Sequence, residues 1–261
     1  MPTSHTIGAI GYGRINRALY EYVEADPDFE LAYVYVRTPT DDLPEGIQVT
    51  DPAVLAERPV DLVVEGATPQ ALDTLGEGVL SASDLLVLSG SALVDRDLHD
   101  RLEAAARAND AEIYLPHAAL LGLDGLVDAR SELEAVAIEA TKAPSHLDFG
   151  YTDDVAPEDV AGRTELYDGP TRGLCELFPR NFNSHAAVAL AGLGLDETSS
   201  TLVADPDADG ARHVIRASGD GFDLEIRRDS VIEGVTGEYT LVSLWGSIRR
   251  ILRADEGLRF V

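Results

Sequence analysis

The chain has 261 residues, 45% of them hydrophobic, enough for a sizeable core in one large domain or in two smaller ones sharing a cleft. No apolar run approaches the roughly 20 residues that span a bilayer, the opening Met1-Pro2-Thr3-Ser4-His5 lacks the features of a secretory signal, and Cys175 as the only cysteine rules out an intrachain disulfide or thiolate metal site. Forty-seven acids against 20 bases give a net charge of −27, with Lys142 the only lysine, so no basic stripe offers itself to nucleic acid and a cytoplasmic location away from membranes is expected.

The first element predicted is a strand over Ile7–Ile10, which runs into Gly11-Tyr12-Gly13 and then a helix from Arg14 to Val23. That order of strand, glycines and helix is the context of a dinucleotide-binding turn. Gly11 allows the tight turn and Gly13 lets backbone approach a pyrophosphate. The first helical residues, Arg14 and Ile15, bring the unpaired N–H groups and positive dipole end that favour an anion. Asn16 stands where the pattern has its third glycine, so the helix–strand packing there is either loosened or replaced by a side-chain hydrogen bond.

A second strand, Leu31–Val36, is followed by Arg37 and Thr38 where an acidic residue usually reads the ribose of NAD. A guanidinium there suits a 2′-phosphate, which points to NADP or to tolerance of both cofactors. The other reading of Arg37 is a solvated strand-end arginine. The third strand, Asp61–Glu65, leads into Gly66-Ala67-Thr68-Pro69, with Pro69 placed to open a helix. The fourth, Leu85–Leu88, leads into Ser89-Gly90-Ser91-Ala92-Leu93. A helix over Asp95–Asn109 and a fifth strand, Glu112–Leu115, complete the alternation. Strands separated by helices imply right-handed crossovers and a doubly wound parallel sheet of Rossmann type. Ligands of such sheets sit beyond the carboxyl ends of the strands, which makes Gly66, Ala67, Thr68, Ser91 and Ala92 candidate cofactor contacts beside Gly11, Gly13, Arg14, Ile15, Arg37 and Thr38.

After Tyr114 the rhythm changes. The small apolar stretch from Leu115 to Leu126 reads as the start of a helix, and Glu132–Thr141 alternates as a strand covered on one face. Residues 151–162 are acidic and turn-rich. Further strands are predicted at Ser200–Ala204, His213–Ser218 and Phe222–Arg227. These elements suggest a second, α+β domain over residues 117–239 with a mostly antiparallel sheet. Residues 1–116 form the first domain, and a helix over Thr240–Leu252, within the segment 240–261, packs back on it.

The segment Tyr167–Gly192, with Phe178-Pro179-Arg180-Asn181-Phe182-Asn183 before an alanine-rich helix, resembles the corresponding region of L-aspartate dehydrogenases. The likeness continues through Gly194-Leu195-Asp196-Glu197-Thr198 and Leu202-Val203-Ala204-Asp205-Pro206 to His213. It also covers Val64-Glu65-Gly66-Ala67, Ser89–Leu93 and Leu121-Gly122-Leu123-Asp124. The resemblance implies reversible oxidative deamination of L-aspartate with NAD or NADP. The product, iminoaspartate, hydrolyses to oxaloacetate and ammonia or feeds NAD biosynthesis. It also implies that His213, just before a strand, is the catalytic histidine and that Asn183 lies near the nicotinamide. An imidazole with an ordinary pKa near 6.5 suits proton exchange at neutral pH.

Each of these residues has a plainer reading. His213 could be a surface histidine at a strand start, and Asn181 and Asn183 could cap the helix that begins near Ser184. His117 and His185 either line a pocket or pack, while Cys175 is a small core residue. Lys142, in Thr141-Lys142-Ala143-Pro144, is an anion-binding candidate or a solvated strand-end lysine. Ala118, His117 and Lys142 are the candidate substrate contacts, and no residue set has metal-ligand spacing. One departure bears on substrate: an Asn-Pro-Lys-Thr-like segment of the family is replaced here by Glu233–Thr240. Another small amino or keto acid, or a non-catalytic NAD(P)-binding sensor, are therefore the alternatives. The acidic excess with one lysine resembles proteins of extreme halophiles, whose self-repulsion is screened in salt. A dimer or tetramer is expected.

Overall fold

In the computed structural model, residues 4–117, 120–151, 156–230 and 237–253 are described. The chain divides into two compact units, Met1–Pro116 with Leu241–Phe260, and His117–Thr240 with Val261.

The first unit opens with β1 (His5–Ile10), α1 (Arg14–Glu24), β2 (Phe29–Tyr35), β3 (Gln48–Val49) and α2 (Val54–Glu57). It continues with β4 (Leu62–Glu65), α3 (Pro69–Leu80), β5 (Asp84–Val87), α4 (Arg96–Asn109) and β6 (Ile113–Tyr114). The six strands are parallel in the order β3-β2-β1-β4-β5-β6, with β1 and β4 at the centre. This is the doubly wound parallel sheet expected, with β3 and α2 added. Two strand residues and one helical turn are too short to leave a periodic signal. Register brings Ile10, Tyr35, Glu65 and Val87 into one row, so the turns after β1, β2, β4 and β5 leave the sheet side by side.

The second unit contains α5 (Leu123–Asp128), β7 (Leu133–Lys142), β8 (Thr164–Pro170), α6 (Thr171–Leu177), α7 (Asn183–Ala191), β9 (Ser199–Ala204), β10 (Ala211–Gly219) and β11 (Phe222–Ser230). The sheet order is β11-β10-β7-β9-β8, antiparallel except for the β7–β9 pair. Two expectations need correction. The helix read from Leu115 onward begins only at Leu123, after Gly122 in a left-handed conformation (φ 78°). His213 lies inside β10, not before it. β8 was missed, because it ends in Gly169-Pro170 and occupies a sheet edge, where proline is tolerated and the apolar alternation is weak.

The last helix, α8 (Glu238–Leu252), starts in the second unit and passes into the first at Leu241. There Leu244 and Ile248 join the core around Ile7, Val34 and Val64. Trp245 stacks on Tyr22 at 5.7 Å and meets Phe29 edge-on at 4.8 Å. Beyond the helix end, Arg253 binds Asp26 and Asp28, each at 2.7 Å.

Candidate functional site

In the first unit the strand-end turns are knit together. Gly11 has φ +84°, and a Cβ there would meet the Cβ of Ala67 at 2.9 Å. Its N–H donates to Tyr35 O at 2.8 Å, while the Gly66 N–H donates to Ile10 O at 3.1 Å. Gly13 caps α1 with extended backbone, and a Cβ there would meet nothing within 4 Å. The space beside it is open at a helix N-terminus that has no side-chain cap, the surroundings a pyrophosphate requires. Asn16 replaces packing by hydrogen bonds: it is buried, and its Nδ2 donates to Ile10 O and Gly11 O, both at 2.9 Å.

A carboxylate that sequence reading passed over braces the next two turns. Glu65 is fully buried and accepts from Ala67 N, Ser89 N and Ser89 Oγ, each at 2.9 Å. Burial raises its pKa, against the pull of those donors. Thr68 caps α3 by accepting from Ala71 N at 3.2 Å, with Pro69 as first helical residue. Ser91 and Ala92 are buried in the short 3₁₀ turn Gly90–Val94. Arg37 and Thr38 are exposed just past β2, and Arg37 has no ion pair with a described carboxylate.

In the second unit, register gathers a different set of groups. His213 pairs with Ala140 of β7 and Arg228 of β11, and Lys142 is two residues beyond Ala140. With a two-residue side-chain period, His213, Lys142 and Arg228 share one face, together with Ser200 of β9, which pairs with Ile138. The same face holds Val136, Ile138 and Ile215, which pack with Leu123, Leu126 and Val188 of α5 and α7. It is apolar under the helices and basic at the other end.

Lys142 is 6% exposed, which overturns the solvated reading. Its Nζ donates to Asn181 O at 3.1 Å and sits 4.7 Å from the centre of the Phe182 ring. The loop that supplies this carbonyl is held by Asn181, whose side chain accepts from Asp148 N at 2.9 Å and donates to His146 O at 3.1 Å. Asn181 therefore does not cap α7, whose cap residue is Phe182 and whose first residue is Asn183. Phe182 packs edge-on to Phe178 at 5.8 Å and to His185 at 4.9 Å. Cys175, buried in α6, is the core residue the composition indicated.

His213 is 5% exposed, and neither ring nitrogen has a hydrogen-bond partner among the described residues. Burial first, then the positive charges of Lys142 and Arg228, lowers its pKa to about 3, so the free protein holds it neutral. Burial likewise lowers Lys142 to about 8. His185, whose ring centre is 6.2 Å from that of His213, is also held neutral by burial. Its tautomer follows from hydrogen-bond accounting. Thr171 Oγ1 donates to Thr198 O at 3.1 Å, so it accepts from Ser200 Oγ at 2.7 Å. The Ser200 proton is then committed, and Ser200 accepts from His185 Nδ1–H at 3.0 Å. Nε2 of His185 is left as a bare acceptor.

Of the remaining sequence candidates, Arg14 and Ile15 open α1 and are half-buried, as are Asn183 and His117. Ala118 lies outside the described residues, as do residues 233–236 of the divergent segment. Among the described residues no group of three His, Cys, Asp or Glu side chains could hold a metal ion. Glu65, Ser200 and Arg228 were missed. Only Arg228 left a trace in the sequence, as a base at the alternate position that the apolar Leu224 and Ile226 occupy before it.

Residues 124–251 match the family described as "Aspartate dehydrogenase, C-terminal", and residues 11–116 match "Homoserine dehydrogenase, NAD binding domain". The chain is 38% identical over 170 residues to an L-aspartate dehydrogenase of Nitrosopumilus maritimus, covering 64% of this chain and 62% of that one. It is 34% identical to an L-aspartate dehydrogenase of Brucella anthropi across 87% of this chain and 88% of that one. Among solved structures, aspartate dehydrogenase from Thermotoga maritima has the same fold, with a TM-score of 0.77 over 98% of this chain and 99% of that chain at 24% identity.

Proposed function

This chain belongs to the L-aspartate dehydrogenase family, and we propose that it catalyses the reversible oxidative deamination of L-aspartate to iminoaspartate, and so to oxaloacetate and ammonia, with NAD or NADP. The observation that carries this reading is His213, buried and, among the described residues, without a hydrogen-bond partner on either nitrogen, beside the buried Lys142, which has no ion pair with a described carboxylate. When bound, the nicotinamide nucleotide supplies the hydride acceptor for oxidation and the donor for reduction. The open space at Gly13 and the α1 N-terminus fit its pyrophosphate. Arg37, exposed and without an ion pair to a described carboxylate, favours with Thr38 the 2′-phosphate of NADP, and Asn183 is the proposed partner of the carboxamide.

His213 takes a proton from the substrate ammonium, which frees the nitrogen lone pair to form the C=N bond. Once it has passed that proton to solvent, the neutral imidazole takes a proton from water as the water adds to the imine. Burial depresses the imidazole most, and a substrate carboxylate at Lys142 offsets the smaller part that comes from positive charge, which moves the base upward as the site fills. His117 and Ala118 are proposed to line the substrate site.

Purified protein in molar salt is expected to reduce NADP or NAD with L-aspartate and to oxidise the reduced cofactor with oxaloacetate and ammonia. H213N is expected to lower kcat by about 100-fold or more, a typical general-base effect, with cofactor affinity unchanged. No turnover in either direction would overturn the reading. Turnover of another amino acid but not aspartate would move it to a related substrate, as the divergence at 233–240 allows.

The halophilic part of the finer assignment follows composition, and the rest follows the family likeness. With 47 acids and one lysine we place the chain among haloarchaeal-type members of the family, working in a salt-rich cytoplasm as a homo-oligomer, in supply of iminoaspartate for NAD biosynthesis. Activity and folding that need no added salt would remove the halophilic part of this assignment.

A further inference from the structure

Acidic residues outnumber basic ones by more than two to one in this chain, yet the sheet of the second unit sorts them by face. Glu139, Glu165, Asp168, Asp223, Glu225 and Asp229 all occupy register positions on the face opposite His213. There they meet arginines: Arg212 and Arg227 bind Asp229 at 2.6 and 2.9 Å, and Arg216 binds Glu225 at 2.8 Å. On the His213 face the same strands, from Val136 of β7 onward, place Lys142, His213 and Arg228 and no acid at all.

Arg228 is half-buried, lies over the Tyr239 ring at 5.1 Å and has no ion pair with a described carboxylate. It is the direct cross-strand neighbour of His213, and Lys142 is the diagonal neighbour from the strand on the other side. Such neighbours lie about 5 Å and 7–8 Å away on a sheet face. Two buried or half-buried cations on either side of a base, with no ion pair to a carboxylate among the described residues, call for an anionic ligand with two charges.

We propose that Arg228 and Lys142 form a two-point clamp for the carboxylates of a four-carbon dicarboxylate, one cation on each side of His213, and that Arg228 sets the preference for dicarboxylates over monocarboxylates. This deepens the substrate reading given above and rests on it for the identity of the reacting molecule. The clamp itself is tested without turnover.

The probe is succinate, with butyrate as the monocarboxylate of equal length, each titrated calorimetrically into the whole protein in one salt. The parent is expected to bind succinate at least about tenfold more tightly than butyrate, the value of one charge-assisted pair. R228M keeps an aliphatic side chain beside Tyr239 and is expected to bring the two ligands within about threefold of each other, whereas R228K, which keeps the charge, retains most of the preference. Equal binding of both ligands by the parent, or an unchanged preference in folded R228M, overturns the clamp. If R228M does not fold, loss of the preference in K142M supports the clamp and its retention there overturns it. A clamp that behaves as described in a protein that does not oxidise L-aspartate leaves this inference standing and removes the substrate assignment.

Discussion

Asn16 and Gly66 together do the work of a third glycine in the dinucleotide turn, and their coupling can be measured. The Asn16 amide is buried and pinned by two hydrogen bonds, to Ile10 O and Gly11 O. A Cβ on Gly66 would come within 2.9 Å of both Asn16 Nδ2 and Oδ1, while Gly66 has no left-handed φ that would forbid alanine. N16A loses two neutral bonds worth about 1 kcal/mol each, offset in part because Oδ1 is buried without a partner. The net cost is about 1–2 kcal/mol, a fall in Tm of roughly 3–6 °C for a chain of this size. G66A in the parent forces the pinned amide to shift, an overpacking cost of about 1–3 kcal/mol. In the N16A background the amide is gone and the added methyl has room. The double variant should therefore be more stable than the sum of the singles by at least about 1 kcal/mol, read from denaturant unfolding of all four proteins in one salt. Additivity within about 0.5 kcal/mol would refute the argument, because it would mean the two positions do not compete for the same space.

Three further outcomes are expected. Burial lowers Lys142 to about 8 from its ordinary 10.5, so the unfolded chain holds that proton more tightly, and the full penalty on folding applies below pH 8. Raising the pH from 8 to 10.5 should recover up to about 3 kcal/mol of stability in the parent relative to K142M, and parallel pH–stability curves would contradict this. S200A removes the acceptor of His185 Nδ1–H and should cost about 1–3 kcal/mol; nitrogen NMR of the parent should show His185 protonated on Nδ1, and an Nε2–H tautomer would refute the relay. E65Q puts an NH₂ group among three donors that all need an acceptor, so a loss of about 2 kcal/mol and weaker cofactor binding are expected, with unchanged melting and unchanged cofactor affinity as the contrary result.

The parallel sheet was legible because its signals are local. Ile7–Ile10 followed by glycines and a helical period needs no knowledge of distant residues, and the same holds for Asp95, whose side chain caps α4 by accepting from Asp97 N and Leu98 N. Elements without a local period stayed hidden. β3 has two residues, β8 is an edge strand that ends in proline, and the apolar run after Leu115 is as compatible with a buried loop as with the helix expected there.

Sequence by itself determined which residues stand near strand ends and which chemistry they carry: the glycine turn, Arg37 past the second strand, one lysine, and a histidine expected at the start of a later strand. Tertiary structure alone decided what those groups experience. Lys142 and His213 are 71 positions apart in the numbering, and only the β7–β10 register makes them neighbours on one face. Burial under the elements folded over that face holds the imidazole neutral and lowers the lysine, which has no ion pair with a described carboxylate. Charge sorting between the two faces is likewise a property of pairing. A single-residue shift in register would carry the side chains of a strand to the other face; the apolar alternation of β7 and β11 marks which face is covered, but only the strand order brings their bases together beside His213.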